Sequence, residues 1–483
     1  MSNLMKYLPV KKEELGKFFA ISVMMILILF IYSVQRTIKD TIVVSYMGAE
    51  LISAIKLWGV LPSAILVMLL YAKLSDIFNK TLIFHLFNAF FVAYFAIFSF
   101  YLFPNSESFK IDLSGAAESL PYLRYVFVVV EWWSYSLYYI LSELWGSVML
   151  SLLFWQTVNQ IFKIKEAKRL YPLFAFVGQV GMLMSGGITR FFTKHGSATN
   201  WSDVLMSINT FVIFAAILLS IAFWILSNKL VDISILNAET AKKKKKKIGF
   251  LDGLKHVFTS KYIGLITMLV LCYGASINLV EGVWKAQAHI VYSLPIDYAN
   301  FMANLQTYTG LAAMVSMLIG SYLLSLISWR FAAMITPVVI FFTSVIFFTL
   351  SIYQVEAKNL MTFITVTPIV VAVFVGLLQN ILGKSTKYAF FDATKEMSYI
   401  PLDEELKSKG KAAVEVIGGR MGKSAGSFVT HLMLSIIPGS TLISLSPSMF
   451  VIFLVIMVIW FISANSLATE FDKISEKQVI KGK

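Results

Sequence analysis

Long apolar runs recur along almost the whole chain, separated by short polar connections. Each run has about 20 residues, the length that an α-helix needs to cross a hydrocarbon layer about 30 Å thick. Lipid offers no hydrogen-bonding partners to the backbone, so these runs must be helices; a barrel would show short alternating segments instead. The pattern predicts spans at 17–36, 52–73, 81–103, 122–161, 169–192, 205–227, 261–290, 300–326, 331–353, 360–384, 411–436 and 447–466.

The number of spans depends on the apolar and aromatic region 122–161. Treated as one long or broken element, it gives about twelve transmembrane helices; two membrane passes inside it are the main competing count. The first helix is predicted to be retained, because no small-x-small cleavage site follows its apolar run. The pattern therefore predicts an all-α integral membrane protein.

Composition supports this prediction. Of the 483 residues, 58% are hydrophobic, 14% are charged and 40 are Phe, which leaves no stretch large enough for a soluble domain. The single Cys272 excludes an intrachain disulfide and lies inside an apolar run, where we expect it to pack. The five His residues and this Cys show no zinc-ligand spacing, so the sequence predicts no metal and no cofactor.

Basic residues concentrate on alternate connections between the predicted spans. These connections carry Lys73 and Lys80; Lys163, Lys165, Lys168 and Arg169; Lys242 to Lys247; Arg330; Lys384 through Lys411; and the tail ending at Lys483. Cytoplasmic connections are enriched in Lys and Arg, so this alternation predicts that both termini are cytoplasmic. An even number of spans agrees with that orientation.

The six-lysine run at 242–247 has six predicted spans before it and six after it. We predict an N-terminal six-helix bundle over 1–228, a basic cytoplasmic linker over 229–260 and a C-terminal six-helix bundle over 261–483. The lysine run is expected to be a solvated connection that contacts anionic lipid, with a specific regulatory role as the alternative.

A faint internal repeat supports two halves. The segment 166–187 can be laid on 409–427, so that Gly178 and Gly181 fall on Gly419 and Gly422. Six plus six spans with cytoplasmic termini are the plan of major-facilitator-type carriers, in which substrate binds near the midplane between the halves. The stretch GGRMGKSAG (418–426) ends like a P-loop, but it lacks the opening glycine and the strand context, so we do not expect an enzyme.

Ionisable residues inside the spans are candidates for function, because each costs about 2.5–3.5 kcal/mol on membrane insertion. Cations outnumber acids among them, which predicts an anionic substrate with several charges, such as the phosphates of a nucleotide. Two structural alternatives stay open: Glu281 and Lys285 have the spacing of an intrahelical ion pair, and Lys384 lies near a cytoplasmic helix end where it can snorkel. The candidates are Arg36, Lys39, Lys387, Arg420 and Lys423 for phosphates, and Glu143, Glu281, Lys285 and Asp392 for substrate or charge coupling.

Several long segments closely resemble the nucleotide transporter family of ATP/ADP translocases, which occurs in obligate intracellular bacteria and plastids. They include RTIKDTIVVSYMGAE (36–50), SELWGSVMLSLLFWQTVNQI (142–161), YGASINLVEGVWK (273–285) and KYAFFDATKEMSYIPLDEELKSKGKAAVEVIGGRMGKSAG (387–426). The resemblance implies exchange of ATP for ADP, in some members with inorganic phosphate, across the bacterial inner membrane. It also implies that Lys39, Glu143, Glu281 and Lys423 are important for transport.

The resulting expectation is an alternating-access antiporter that takes up host ATP. Its partners would be ATP, ADP and membrane lipids, with no nucleic acid, and it would act as a monomer. The competing hypothesis is a proton-coupled importer, or an exchanger of other ribonucleotides or NAD, with Glu143, Glu281 or Asp392 as the proton carrier. A structural scaffold is disfavoured, because it gives no reason for paired charges in several spans.

Overall fold

The computed structural model describes residues 10–195, 200–231, 259–354, 367–402, 414 and 422–481, and those residues contain helices and no strands. Several successive membrane helices are joined by connections of a few residues, such as 48–50 and 292–294. The helices are α1 (Lys12–Met47), α2 (Leu51–Ile77), α3 (Lys80–Leu102), α4 (Trp133–Ile161), α5 (Ile164–His195), α6 (Trp201–Leu230), α7 (Lys261–Val291), α8 (Pro295–Leu326), α9 (Trp329–Ile352), α10 (Pro368–Ser398), α11 (Gly422–Ile436) and α12 (Ser446–Lys481).

The described helices agree with the predicted spans. Eleven of them are long and apolar enough to cross a membrane. The predicted eleventh span, 411–436, falls partly outside the described residues, and its described part is α11. Region 122–161 is one broken element: the short helix Arg124–Glu131 ends at a bend, and only α4 is long enough to cross. The prediction of about twelve helices is confirmed.

Buried apolar side chains form two separate cores. One cluster is built mainly by α1 to α6, and it includes Ile28, Phe95 and Trp145. The other is built mainly by α7 to α12 and also takes in residues of the first half, such as Val43 in α1 and Ile52 in α2. Each core is held mainly within one run of six helices, so the boundary between the runs remains available for a polar site. The predicted linker, 229–260, lies almost entirely outside the described residues.

Glycines bring the first and fifth helices of each half into close contact. A Cβ atom on Gly181 in α5 would lie 2.3 Å from the backbone oxygen of Ile26 in α1. A Cβ atom on Gly422 in α11 would lie 3.0 Å from the backbone oxygen of Val270 in α7. The two glycines aligned by the sequence repeat therefore have equivalent packing roles. Gly419, the other predicted counterpart, lies outside the described residues.

Hydrogen bonds join the two halves at one end of the bundle. Arg190 Nη1 in α5 donates to Asn304 Oδ1 and Thr307 Oγ1 in α8, both at 3.0 Å. The backbone N of Leu442, between α11 and α12, donates to Glu50 Oε1 at 3.1 Å. We call this end, formed by residues 47–51, 190–193, 300–307 and 437–442, the closed end.

Candidate functional site

A polar cavity of about 170 Å³ lies between the halves, in the middle of the bundle. Helices α1, α2 and α4 line it from the first half, and α7 and α10 from the second. Two of its lysines, Lys56 and Lys387, lie in one-turn π-helical segments, Ile55–Val60 and Lys387–Phe391. Such turns interrupt the regular helix and are frequent at functional sites.

Lys39 is the most completely enclosed cation of the cavity. It is 2% exposed, and its Nζ lies 2.8 Å from Asp40 Oδ1 and 2.9 Å from Glu143 Oε1. The same ammonium lies 3.9 Å from the ring centre of Tyr139. Two carboxylates and an aromatic face thus replace the water that this charge would otherwise bind.

Ion pairs cross directly from one half to the other. Arg36 Nη2 of α1 lies 2.9 Å from Glu281 Oε1 of α7. Asp40 Oδ2 of α1 lies 2.9 Å from Lys285 Nζ, and the same Nζ is 3.4 Å from Glu281 within α7. The predicted Glu281–Lys285 pair therefore exists, but it is one link of a buried network that reaches residues 245 positions apart.

Two further lysines extend the network along its edges. Lys384 Nζ lies 3.8 Å from Glu281 Oε1 and donates to Asn380 Oδ1 at 3.1 Å. Of the two alternatives left open for Lys384, the structure favours the cavity over snorkelling: its side chain is buried and faces the cavity instead of the helix end. Lys56 Nζ donates to Asn278 Oδ1 at 2.7 Å.

The structure brings most of the predicted site residues together. Arg36, Lys39, Glu143, Glu281, Lys285 and Lys387 line the cavity. Asp392 Oδ2 lies 2.6 Å from Lys387 Nζ, at the rim. Arg420 lies outside the described residues, and Lys423 lies in the first turn of α11 with its side chain outside what the structure describes.

Sequence reasoning missed two charged members of this cluster, Asp40 and Lys56, and left Lys384 open between the cavity and the interface. A signal was present for both missed residues. Asp40 lies four residues after Arg36, the spacing that places two side chains on one helix face. Lys56 lies inside the predicted span 52–73, where any charge is a candidate.

The cluster carries an excess of positive charge. Its six cations face four carboxylates, an excess of two positive charges among the described residues. Such an excess in a low-dielectric cavity is stabilised by an anion that carries several negative charges. The cations are Arg36, Lys39, Lys56, Lys285, Lys384 and Lys387, and the carboxylates are Asp40, Glu143, Glu281 and Asp392.

Two helical halves around a charged central cavity define a secondary membrane transporter with a major-facilitator-like fold. The fold resembles that of the xylose transporter XylE from E. coli, with a TM-score of 0.58 at 11% identity, over 94% of this chain and 95% of that one. The sequence profile of the TLC ATP/ADP transporter family matches residues 2–471. The chain belongs to this family, and it is a transporter and not an enzyme.

Relatives with assigned names are similar over nearly their full length. ADP,ATP carrier protein 1 of Rickettsia typhi is 39% identical over 487 residues, which are 99% of this chain and 98% of that protein. ADP,ATP carrier protein 4 of Rickettsia bellii is 38% identical over 481 residues, which are 96% of this chain and 92% of that protein. The family resemblance inferred from the sequence motifs is confirmed.

Proposed function

We propose that this protein exchanges ATP for ADP across the bacterial inner membrane by alternating access. The observation that carries the proposal is the buried cluster between the halves, in which cations exceed carboxylates by two. Polyphosphates match such a cluster, because Arg binds phosphate oxygens as a fork and Lys as a point charge. The names of the Rickettsia relatives support these two nucleotides in particular.

The small volume of the cavity explains why the carrier must change conformation to admit its substrate. Pockets that enclose drug-sized ligands have volumes of about 300–1,000 Å³, whereas this cavity has about 170 Å³. A nucleotide therefore enters only when the halves separate on one side. Ion pairs such as Arg36–Glu281 cross between the halves, and we infer that phosphate groups compete with the carboxylates for the cations during this opening.

Exchange follows from the charge of the cluster. Reorientation of the empty carrier would require closure around uncompensated cations, which is unfavourable in a low-dielectric passage. A bound nucleotide neutralises them, so the loaded carrier reorients more readily than the empty one. In this mechanism Lys39, Arg36, Lys387, Arg420 and Lys423 hold phosphates. Glu143, Glu281, Lys285 and Asp392 orient the cations and couple substrate charge to closure.

We further propose an orientation for the molecule. The basic residues near the α2–α3 turn, Lys73 in the last turns of α2 and Lys80 at the start of α3, lie opposite the closed end. The positive-inside rule then makes both termini cytoplasmic and the closed end periplasmic. A single chain holds the whole cavity, which supports a monomer in the lipid bilayer, and inorganic phosphate fits the same cations as a third substrate.

Counterflow in proteoliposomes tests the proposal. Vesicles preloaded with ADP should take up labelled ATP, and empty vesicles should take up almost none. Uptake into empty vesicles driven by a pH gradient would instead support the proton-coupled importer. A panel of unlabelled nucleotides, including NAD, competing against labelled ATP shows whether another substrate is preferred, and a preference for one would refute the assignment.

A further inference from the structure

Lys56 differs from the other five cations of the cluster. Within the described part of the chain it has no ion pair, and its Nζ contacts only the side-chain oxygen of Asn278, at 2.7 Å. An amide oxygen carries a partial charge, so it orients the ammonium without neutralising it. Lys56 therefore remains available to an anionic partner.

A narrow recess leads from Lys56 towards the closed end. The recess has a volume of about 20 Å³ in this conformation, and Lys56 and Asn278 line both it and the main cavity. Ser53, Ser427 and Thr430 add hydroxyl groups to its surface, and Glu281 and Lys285 of the central ion pairs also line it. Ammonium and hydroxyl groups bind phosphate oxygens in proteins, and the Glu281 carboxylate is paired with Arg36 and Lys285. The lining comes from both halves, so the recess widens when they separate.

Aromatic side chains line the main cavity but not the recess. Tyr273 and Tyr388 lie beside Lys387, whose Nζ is 5.8 Å and 4.8 Å from the two ring centres, and Tyr32 also lines the cavity. The described lining of the recess contains no aromatic residue. Aromatic rings stack on any nucleobase, because every base has a π-face. The rings that can receive a base thus lie in the main cavity, and Lys56 lies where the cavity meets the recess.

We propose that Lys56, held by Asn278, binds the terminal phosphoryl group of the triphosphate, while the base lies towards Tyr273 and Tyr388, and Lys387, beside those rings, holds the phosphate nearest the base. This inference rests on the proposed ATP/ADP exchange. ADP is one phosphoryl group shorter, so with its base at the same place it does not reach Lys56. Lys56 is therefore the residue that distinguishes ATP from ADP, whereas Lys39, which lines the main cavity but not the recess, holds phosphates that both nucleotides share.

Lys56→Gln tests this assignment in the full-length carrier reconstituted into proteoliposomes. Because a charge-assisted contact is lost only with the triphosphate, the KM for ATP should rise about ten-fold and that for ADP less than about two-fold. Lys56→Arg should keep the preference for ATP. The matched control is Lys73→Gln, which removes an exposed lysine near the other end of the same helix and should leave both KM values unchanged.

Asn278→Asp provides an independent test if Lys56→Gln does not fold. The new carboxylate pairs with Lys56 and occupies its charge, so the same selective loss of ATP affinity is expected with the lysine present. An equal rise in both KM values, or no rise in either variant, overturns the assignment. If a variant loses inhibition by added inorganic phosphate while the ratio of its KM values for ATP and ADP stays unchanged, the assignment is also overturned, because the subsite then binds free phosphate. If the wild-type carrier exchanges neither nucleotide, the proposed function itself is wrong.

Discussion

Asp40→Asn should destabilise the empty carrier more than any surface carboxylate change. Asp40 is 3% exposed, and its two oxygens lie 2.8 Å from Lys39 Nζ and 2.9 Å from Lys285 Nζ, which belongs to the other half. Asn keeps the shape of the side chain but removes its charge, which leaves two buried ammonium groups with one carboxylate fewer. Removal of one partner from a buried ion pair costs about 3–5 kcal/mol.

The matched comparison is Asp392→Asn. It is the same chemical change in an ion pair of 2.6 Å with Lys387, but there the carboxylate side chain is 36% exposed. Solvent-exposed pairs contribute about 0–1 kcal/mol. Thermal unfolding of the purified proteins in detergent should therefore show a much larger decrease of the midpoint for Asp40→Asn than for Asp392→Asn.

Added ATP should then show whether Asp40 acts in the substrate cavity or has a purely structural role. ATP at about 100 times its Kd stabilises a carrier that binds it only when folded by about 2.7 kcal/mol. The phosphates no longer compete with Asp40 for Lys39 and Lys285, so the variant should gain more than the wild type at equal ATP. Equal melting of the two variants, or equal ATP shifts in wild type and Asp40→Asn, would refute the reasoning.

Two further predictions concern the packing of the helices. Gly181→Ala places a Cβ atom 2.3 Å from the backbone oxygen of Ile26 and should lower the free energy of unfolding by at least about 1–3 kcal/mol. In the control Gly187→Ala the new Cβ meets nothing within 4 Å, so this variant should melt like the wild type. Similar melting midpoints of the two variants would contradict the packing role of Gly181. Arg190→Ala removes two hydrogen bonds across the closed end, each worth about 1.5–3 kcal/mol to a charged group. It should speed the reaction of a cysteine introduced into the cavity with an impermeant thiol reagent added from that side, and an unchanged rate would show that this end is held by other contacts.

The helices and many of the charged side chains could be predicted from the sequence because both signals are local. An apolar run of sufficient length must be a helix in lipid, and a charge inside it stands out at once. The close approach of helices at Gly181 and at Gly422 could also be predicted, because the repeat aligns these two glycines. Each one contacts the backbone of the first helix of its own half.

The pairing of the charges could not be predicted in the same way. Arg36 and Glu281 are 245 positions apart, and their contact depends on how the halves face each other. Asp40 could not be singled out, because its role as the bridge between Lys39 and Lys285 of α7 depends on the same contact between the halves. The sequence left the cavity and the interface open for Lys384, because sequence position gives the depth of a side chain and not the direction in which it points.

The small central cavity also has a pharmacological consequence. Transport requires the cavity to open, admit a nucleotide and contract around it, and in the present conformation it measures about 170 Å³. A compound with two or three phosphate-like groups attached to a rigid, bulky frame would satisfy the cations of both halves but prevent the contraction. Such a compound would arrest the carrier in mid-cycle instead of merely competing for it, and its potency would depend on the frame as much as on the charges.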